Sequence, residues 1–333
     1  MKALWVGVVL AGAVLGWLLY AVYVPFGVPF GPGGEVYVDL PSGTGTPEMA
    51  RLLQSRGVIR SAVAFEVLRA WKGGRLKAGE YRFDHPARAT EVYARLLRGD
   101  VFTRTLVIPE GYNIFDVARA AAAAGLGSEA EFLAAEREHV ELVAAWAPAG
   151  VRPGSVEGFL FPDTYRFSRR ATPEQMLAVM VRRFRQAAGQ IGLREDVWSV
   201  VTTASLVERE VGVAGERPMV AGVFRNRLRR GMPLETDPSV IYAAMLEDRY
   251  RGTIYASDLR SESAYNTYRH GGLPPGPIAN PGLASLRAAM EPAETDALYF
   301  VSDGAGHSRF SATLAEHTTQ VEAYRRGMRG RQP

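Results

Sequence analysis

The chain has no cysteine. Disulfides, thiolate metal sites and a cysteine nucleophile are therefore excluded, while the compartment stays open. Lysine occurs only at positions 2, 72 and 77, so the formal charge of +4 rests on arginine. No basic run alternates with aromatics, so nucleic acid is not implied as a partner. The histidines, His85, His139, His270, His307 and His317, are not spaced as metal ligands. Neither a metal nor any other cofactor is expected. A mild positive balance suits an anionic polymer or a membrane surface. Charge is missing altogether from Ala3 to Val24.

That uncharged run is long enough to span a bilayer as a helix. Trp17, Tyr20 and Tyr23 cluster at its end, where an aromatic belt would sit. Lys2 is the only charge before it, which keeps the start cytoplasmic and exports the rest. A cleaved signal peptide is the competing reading. The run exceeds a usual signal core and no small-x-small site follows, so residues 1–24 are read as a transmembrane anchor. Residues 25–34, PFGVPFGPGG, are a linker by their proline and glycine content. The remaining length, in a chain of 333 residues that is 47% hydrophobic, accommodates two modest domains or one large one.

Beyond the linker the chain repeats itself at an offset of 68 residues. Pro41, Gly43, Ala50, Arg51 and Gly57 are matched by Pro109, Gly111, Ala118, Arg119 and Gly125. Val38, Leu40 and Met49 are matched by the apolar Leu106, Ile108 and Val117. Each copy reads as a strand, a Pro-x-Gly turn, a helix ended by glycine, and a second helix. Thr46-Pro47 and Ser61 mark helix starts in the first copy and Ser128 in the second. Gly79 to Phe83 closes the first copy as a strand, and Thr90 caps a short helix after it. Strand, helix, helix, strand is the plan of small LysM-like glycan-binding modules, although any small α/β unit can share it. Residues 35–103 are read as that subdomain.

In GSVEGFLFPDTYRFS, residues 154–168, Phe159, Phe161, Tyr165 and Phe167 accompany Glu157 and Asp163. Aromatic faces stack on sugar rings and carboxylates accept from hydroxyls, so the stretch suits a sugar-cleft wall. A core strand with an Asp turn is the plainer alternative.

VWSVVTTASLVEREV, residues 197–211, reads as one helix. At about 100° per residue Val197, Val201, Ala204 and Val211 share a side. Glu208 falls near the middle of that stripe and Glu210 opposite. A carboxylate centred on a buried face should hold its proton near neutral pH, as a general acid must. A structural Glu paired with a nearby arginine is the bland alternative. A further helix follows, with Val220, Val223, Phe224 and Leu228 inward and Gly231 as its stop. Thr236 or Asp237 caps the next one at Pro238. The loop SAYNTYRHGGLPPGPIANPG is too rigid and too permissive at once to be a simple connector. A hairpin around Asp303-Gly304 and a last helix close the chain.

The segments EGFLFPDTY, ASLVERE, AGVFRNRLRRGMPLETDPSVIYA, SAYNTYRHGGLPPGPIANPG and LYFVSDGAGHSRFSATLAEH resemble, in this order, the endolytic murein transglycosylase (YceG-like) family. The resemblance runs to about residue 326. It implies an α+β chain: a transmembrane helix, a LysM-like βααβ subdomain, and a mixed α/β lytic transglycosylase catalytic domain over residues 104–330. It implies a single-pass cytoplasmic (inner) membrane protein whose catalytic domain lies on the periplasmic or extracytoplasmic side. The expected reaction is non-hydrolytic cleavage of the N-acetylmuramic acid–β-1,4–N-acetylglucosamine bond within peptidoglycan strands, giving 1,6-anhydro ends and terminating nascent strands. Peptidoglycan synthases or elongation and division proteins would be its partners. The family's catalytic Glu matches Glu208. Tyr265-Asn266 resembles an Ala-Tyr-Asn segment of other lytic transglycosylases, in which the Tyr contacts the catalytic Glu. Glu157, Asp163, Thr236, Asp237, Tyr265 and Asn266 are the expected substrate contacts. Two other classes stay open. One is a water-using muramidase, with Glu208 as acid and Asp237 or Glu157 as base. The other is an anchored glycan-binding scaffold without catalysis.

Overall fold

The computed structural model describes residues 1–27 and 34–329, so most of the expected linker lies outside the described residues. The chain divides into two compact units, Met1–Arg104 and Thr105–Pro333.

The first unit opens with α1 (Lys2–Tyr23). Its stretch Leu4–Tyr23 has a mean hydropathy of 2.1 and is long and apolar enough to cross a membrane. Most of its side chains are exposed, and Ala21 and Val22 in the last turn are buried. Then come β1 (Val36–Leu40), α2 (Thr46–Ser55), α3 (Ala62–Lys72), β2 (Gly79–Phe83) and α4 (Ala89–Arg98). β1 and β2 pair antiparallel, with Val38 opposite Tyr81 and Leu40 opposite Gly79. Val38, Leu40, Tyr81 and Phe83 face the core, joined by Leu53, Phe65, Val92 and Leu96 from the helices. Ser61 caps α3 by accepting the Ala64 N–H at 3.2 Å. Thr90 is not a cap, since α4 begins one residue earlier, after Arg88.

β3 (Arg104–Ile108) leads into the second unit, followed by α5 (Ile114–Ala123), α6 (Glu129–Glu138) and β4 (Asp163–Phe167), which pairs with β3. The 68-residue repeat is therefore structural: both copies run strand, helix, helix, strand. Gly57 and Gly125 stand at the same φ of 71°, each just past its helix end, a conformation that favours glycine. The remaining elements are α7 (Pro173–Gln190), α8 (Val197–Glu210), α9 (Arg217–Arg229), α10 (Asp237–Leu246), α11 (Ala256–Leu259), α12 (Leu283–Met290), the hairpin β5 (Tyr299–Ser302) and β6 (Ser308–Ser311), and α13 (Leu314–Arg329). The overall class is α+β, with small antiparallel sheets among many helices.

The aromatic stretch before β4 is core and not a cleft wall. Phe159 is fully buried, stacked on Trp146 at 5.2 Å and edge-on to Phe184 at 5.0 Å. Phe161, Tyr165 and Phe167 are also buried in the cluster that takes in α5, α7 and the start of α8. Aromatic area of this size is worth more inside a core than on a wet wall.

Candidate active site

α8 buries Val197, Val201, Thr202, Ala204, Ser205, Leu206 and Val207, most of its circumference. A helix enclosed this broadly presents no single apolar face. Glu208 does point inward, with its side chain only 5% exposed, but the interior supplies partners. Arg217 donates to its Oε1 at 2.9 Å and the Gly282 N–H to its Oε2 at 2.9 Å. Arg217 also donates to Ser285 at 2.9 Å and lies 3.9 Å from Glu110. Burial, then the Glu208 charge, push the Glu110 carboxyl up, and Arg217 opposes them. Glu208 thus ties α8 to the first residue of α9 and to the N-terminus of α12. The expected solitary carboxylate on an apolar stripe is not what the structure holds at this position.

Glu210, the last residue of α8, has the other environment. It faces a cleft of about 310 Å³ lined by Arg227, Leu234, Glu235, Thr236, Asp237, Tyr268, Phe300 and His317. Its carboxylate has no hydrogen-bond or ion-pair partner among the described residues. Burial, then the charge of Asp237, raise its pKa to about 7. The negative end of the helix dipole acts in the same direction. A carboxyl that holds its proton near neutral pH and opens onto a cleft can donate that proton.

The opposite wall is the start of α10. Asp237 is exposed, and its Oδ1 accepts from the Tyr268 hydroxyl at 2.7 Å. Burial, then that bond, raise the Tyr268 phenol. Thr236 is buried and donates its N–H to Thr267 Oγ1 at 2.9 Å, while Ser239 meets the same oxygen at 2.8 Å. This hydroxyl cluster fixes the first turn of α10 against the loop that carries Tyr268. Arg227 braces the floor, donating to Leu298 O at 2.7 Å, to Leu234 O at 3.0 Å and to Glu235 at 3.1 Å. His317 stacks on Tyr299 at 5.1 Å, and burial, then Arg227, lower its pKa.

Of the expected contacts, the structure brings Thr236 and Asp237 to this cleft and takes four others elsewhere. Glu157 is interior: it accepts from Ile114 N–H at 2.7 Å, Asn280 Nδ2 at 3.0 Å and Gly158 N–H at 3.2 Å. Burial raises its pKa to about 8. Asp163 is held by Arg183 of α7 at 2.7 Å and by the Thr164 N–H at 2.7 Å. Burial alone would raise its pKa, but Arg183 and that N–H bring it below the usual range. Asn266 is fully buried, donating to Ser261 O at 2.7 Å and Leu259 O at 3.0 Å and accepting the Tyr268 N–H at 3.1 Å. It shapes the loop from inside. Tyr265 packs edge-on against Tyr242 at 5.1 Å, and among the described residues the hydrogen bonds to Glu208 come from Arg217 and Gly282 instead. Tyr268, three residues on in the same loop, is the phenol that reaches the cleft. Sequence reasoning also passed over Arg227, Glu235 and His317, for which only membership of the quoted segments gave a signal. Among the described residues no group of three or more His, Asp and Glu side chains could hold a metal.

The YceG-like family model matches residues 38–323, a span that includes the whole cleft. The chain belongs to the YceG-like family. This YceG-like chain is 31% identical over 307 residues to an endolytic murein transglycosylase of Bacillus subtilis, covering 87% of itself and 84% of that relative. It is 30% identical over 306 residues to one of Streptococcus pneumoniae strain D39, where it spans 54% of the longer relative. The crystal structure of a YceG-like protein from Listeria monocytogenes superposes with a TM-score of 0.56 at 29% identity, covering 86% of this chain and 98% of that one.

Proposed function

We propose that this chain is a membrane-anchored endolytic lytic transglycosylase of peptidoglycan, with Glu210 as its acid and base. The observation that carries the reading is Glu210 itself: an unpaired carboxyl in an open cleft, raised to about 7. Protonated Glu210 gives its proton to the oxygen leaving C1 of N-acetylmuramic acid. The resulting carboxylate takes the proton of the muramic acid 6-hydroxyl, whose oxygen closes onto C1 as the 1,6-anhydro ring. The substrate supplies the nucleophile, so one carboxyl suffices for both transfers. Asp237, with Tyr268 bonded to it, supports the site by raising Glu210 and by offering an acceptor to sugar hydroxyls. The names of the curated relatives support the substrate and the reaction class.

The β1–α2–α3–β2 plan supports a LysM-like glycan-binding role for residues 35–103, and residues 104–330 are the proposed catalytic domain. The length and composition of α1 support a single-pass anchor in the cytoplasmic membrane, with the cleft on the periplasmic or extracytoplasmic side. Cutting within strands beside that membrane would end nascent strands, with peptidoglycan synthases or elongation and division proteins as neighbours.

A second reading has an observation of its own. Asp237 interacts with Glu210 and could serve as the base for a water, making the enzyme a muramidase. Mass spectrometry of fragments released from purified glycan strands separates the two. Anhydro ends are expected, reducing ends mean hydrolysis, and no fragments from folded protein would leave only a binding role.

A further inference from the structure

We propose that a pocket beside Arg209 is a subsite for a carboxylate carried by muramic acid, with Arg209 its specificity-determining cation. The inference rests on the peptidoglycan reading and names a feature of the substrate that the cleft at Glu210 does not address.

The pocket has a volume of about 550 Å³, and Tyr112, Asn113, Arg119, Arg209, Met245 and Tyr250 are among its walls. That size suits a small group of a polymer. Arg209 is exposed and gives a single N–H to Gly111 O at 3.2 Å. It has no carboxylate at ion-pair distance among the described residues. The acidic group on the wall is already committed. Asp116 accepts the Asn113 N–H at 3.1 Å and pairs with Arg119. The pocket therefore keeps a positive charge, presented by the side chain best shaped to take a carboxylate by two parallel bonds.

Its place relative to the cleft follows from the backbone. Arg209 and Glu210 are consecutive, with Cα atoms about 3.8 Å apart. α10 walls both spaces: Asp237 faces the cleft, while Ile241 and Met245 face the pocket. Those residues lie roughly 6–12 Å further along the helix at its rise per residue. A strand with its scissile oxygen at Glu210 can therefore set a side group into the pocket. In a strand of alternating amino sugars, carboxylates come only with muramic acid, from its lactyl group or from its stem peptide.

The test compares kcat/KM of the wild-type protein and Arg209→Gln on three forms of the same strands: native, with stem-peptide carboxylates amidated, and with stem peptides removed to expose the lactyl carboxylate. Wild type should prefer native over amidated strands about tenfold or more, mostly through KM. Arg209→Gln should bring that ratio close to one, and Arg209→Lys should restore part of it. A preference confined to stripped strands and lost in Arg209→Gln assigns the lactyl group as the source. A merely structural role would lower all three rates together and leave the ratios unchanged, which overturns the proposal. Cleavage of none of the forms by folded wild-type protein would instead overturn the peptidoglycan reading beneath it.

Discussion

Glu208 and Glu210 share a helix, a residue type and a sequence motif, yet one is a strut and the other an open acid. The helical pattern placed Glu208 on the apolar stripe and Glu210 opposite, but it could not show their surroundings, which Arg217, Gly282 and Asp237 make from elsewhere in the chain. The pH consequences follow from the environments. In the proposed reaction the acid form of Glu210 is the one that donates, so turnover should fall as pH rises through about 7. Asp237→Asn removes a charge that raises Glu210. The alkaline limb of a pH–kcat profile should therefore move to lower pH, and a limb that stays put or moves upward would contradict the assignment. Glu157 acts on stability instead. Its carboxyl is raised to about 8 in the folded protein against 4.5 for the free side chain, so the native state binds the extra proton. Stability should be fullest below about pH 4.5, as far as this group is concerned, and decline as pH rises towards 8, by up to about 1.4 kcal/mol per unit. Chemical denaturation across that window should show the slope, and Glu157→Gln, although less stable throughout, should flatten it.

At the scale of elements the local rules carried far. The β-α-α repeats, the Ser61 and Ser128 caps, the glycine stops and the last hairpin all depend on neighbours within a few residues, and they were legible in the sequence. What failed was burial around a whole helix. The helical wheel assumes one wet face, whereas α8 is enclosed on most sides and meets the cleft only at its last turn. The aromatic segment failed for a related reason: alternating aromatics look alike on a cleft wall and in a core, and Trp146 and Phe184 decide between them. Gly158 sits at this junction with φ of 87°, and a methyl there would come within 2.4 Å of Pro277. Gly158→Ala should cost about 2–4 kcal/mol from positive φ and overpacking together. A thermal melt unchanged from wild type would mean that the loop before α12 has room to yield.

For the whole molecule, the uncharged apolar run was legible as α1 and the matched positions of the repeat as two successive strand-helix-helix units. α1 leaves most of its apolar surface exposed, as a membrane helix would. The mature protein should keep its N-terminus and fractionate with the cytoplasmic membrane, and N-terminal sequencing that begins near residue 25 would show cleavage instead. Which carboxylate acts was the part that depended on packing between distant segments, and it is also the central claim. The most direct test is a paired assay of Glu208→Gln and Glu210→Gln on purified glycan strands, with released fragments counted by mass spectrometry below both melting temperatures. Glu210→Gln should melt close to wild type and lose roughly 10²–10⁴-fold or more in fragment release. Glu208→Gln leaves Arg217 without its hydrogen-bonded charge partner, with only Glu110 at 3.9 Å remaining, and should lose about 2–4 kcal/mol of stability, while keeping turnover within about tenfold. Fragment release that survives in Glu210→Gln and vanishes in a folded Glu208→Gln would contradict the account.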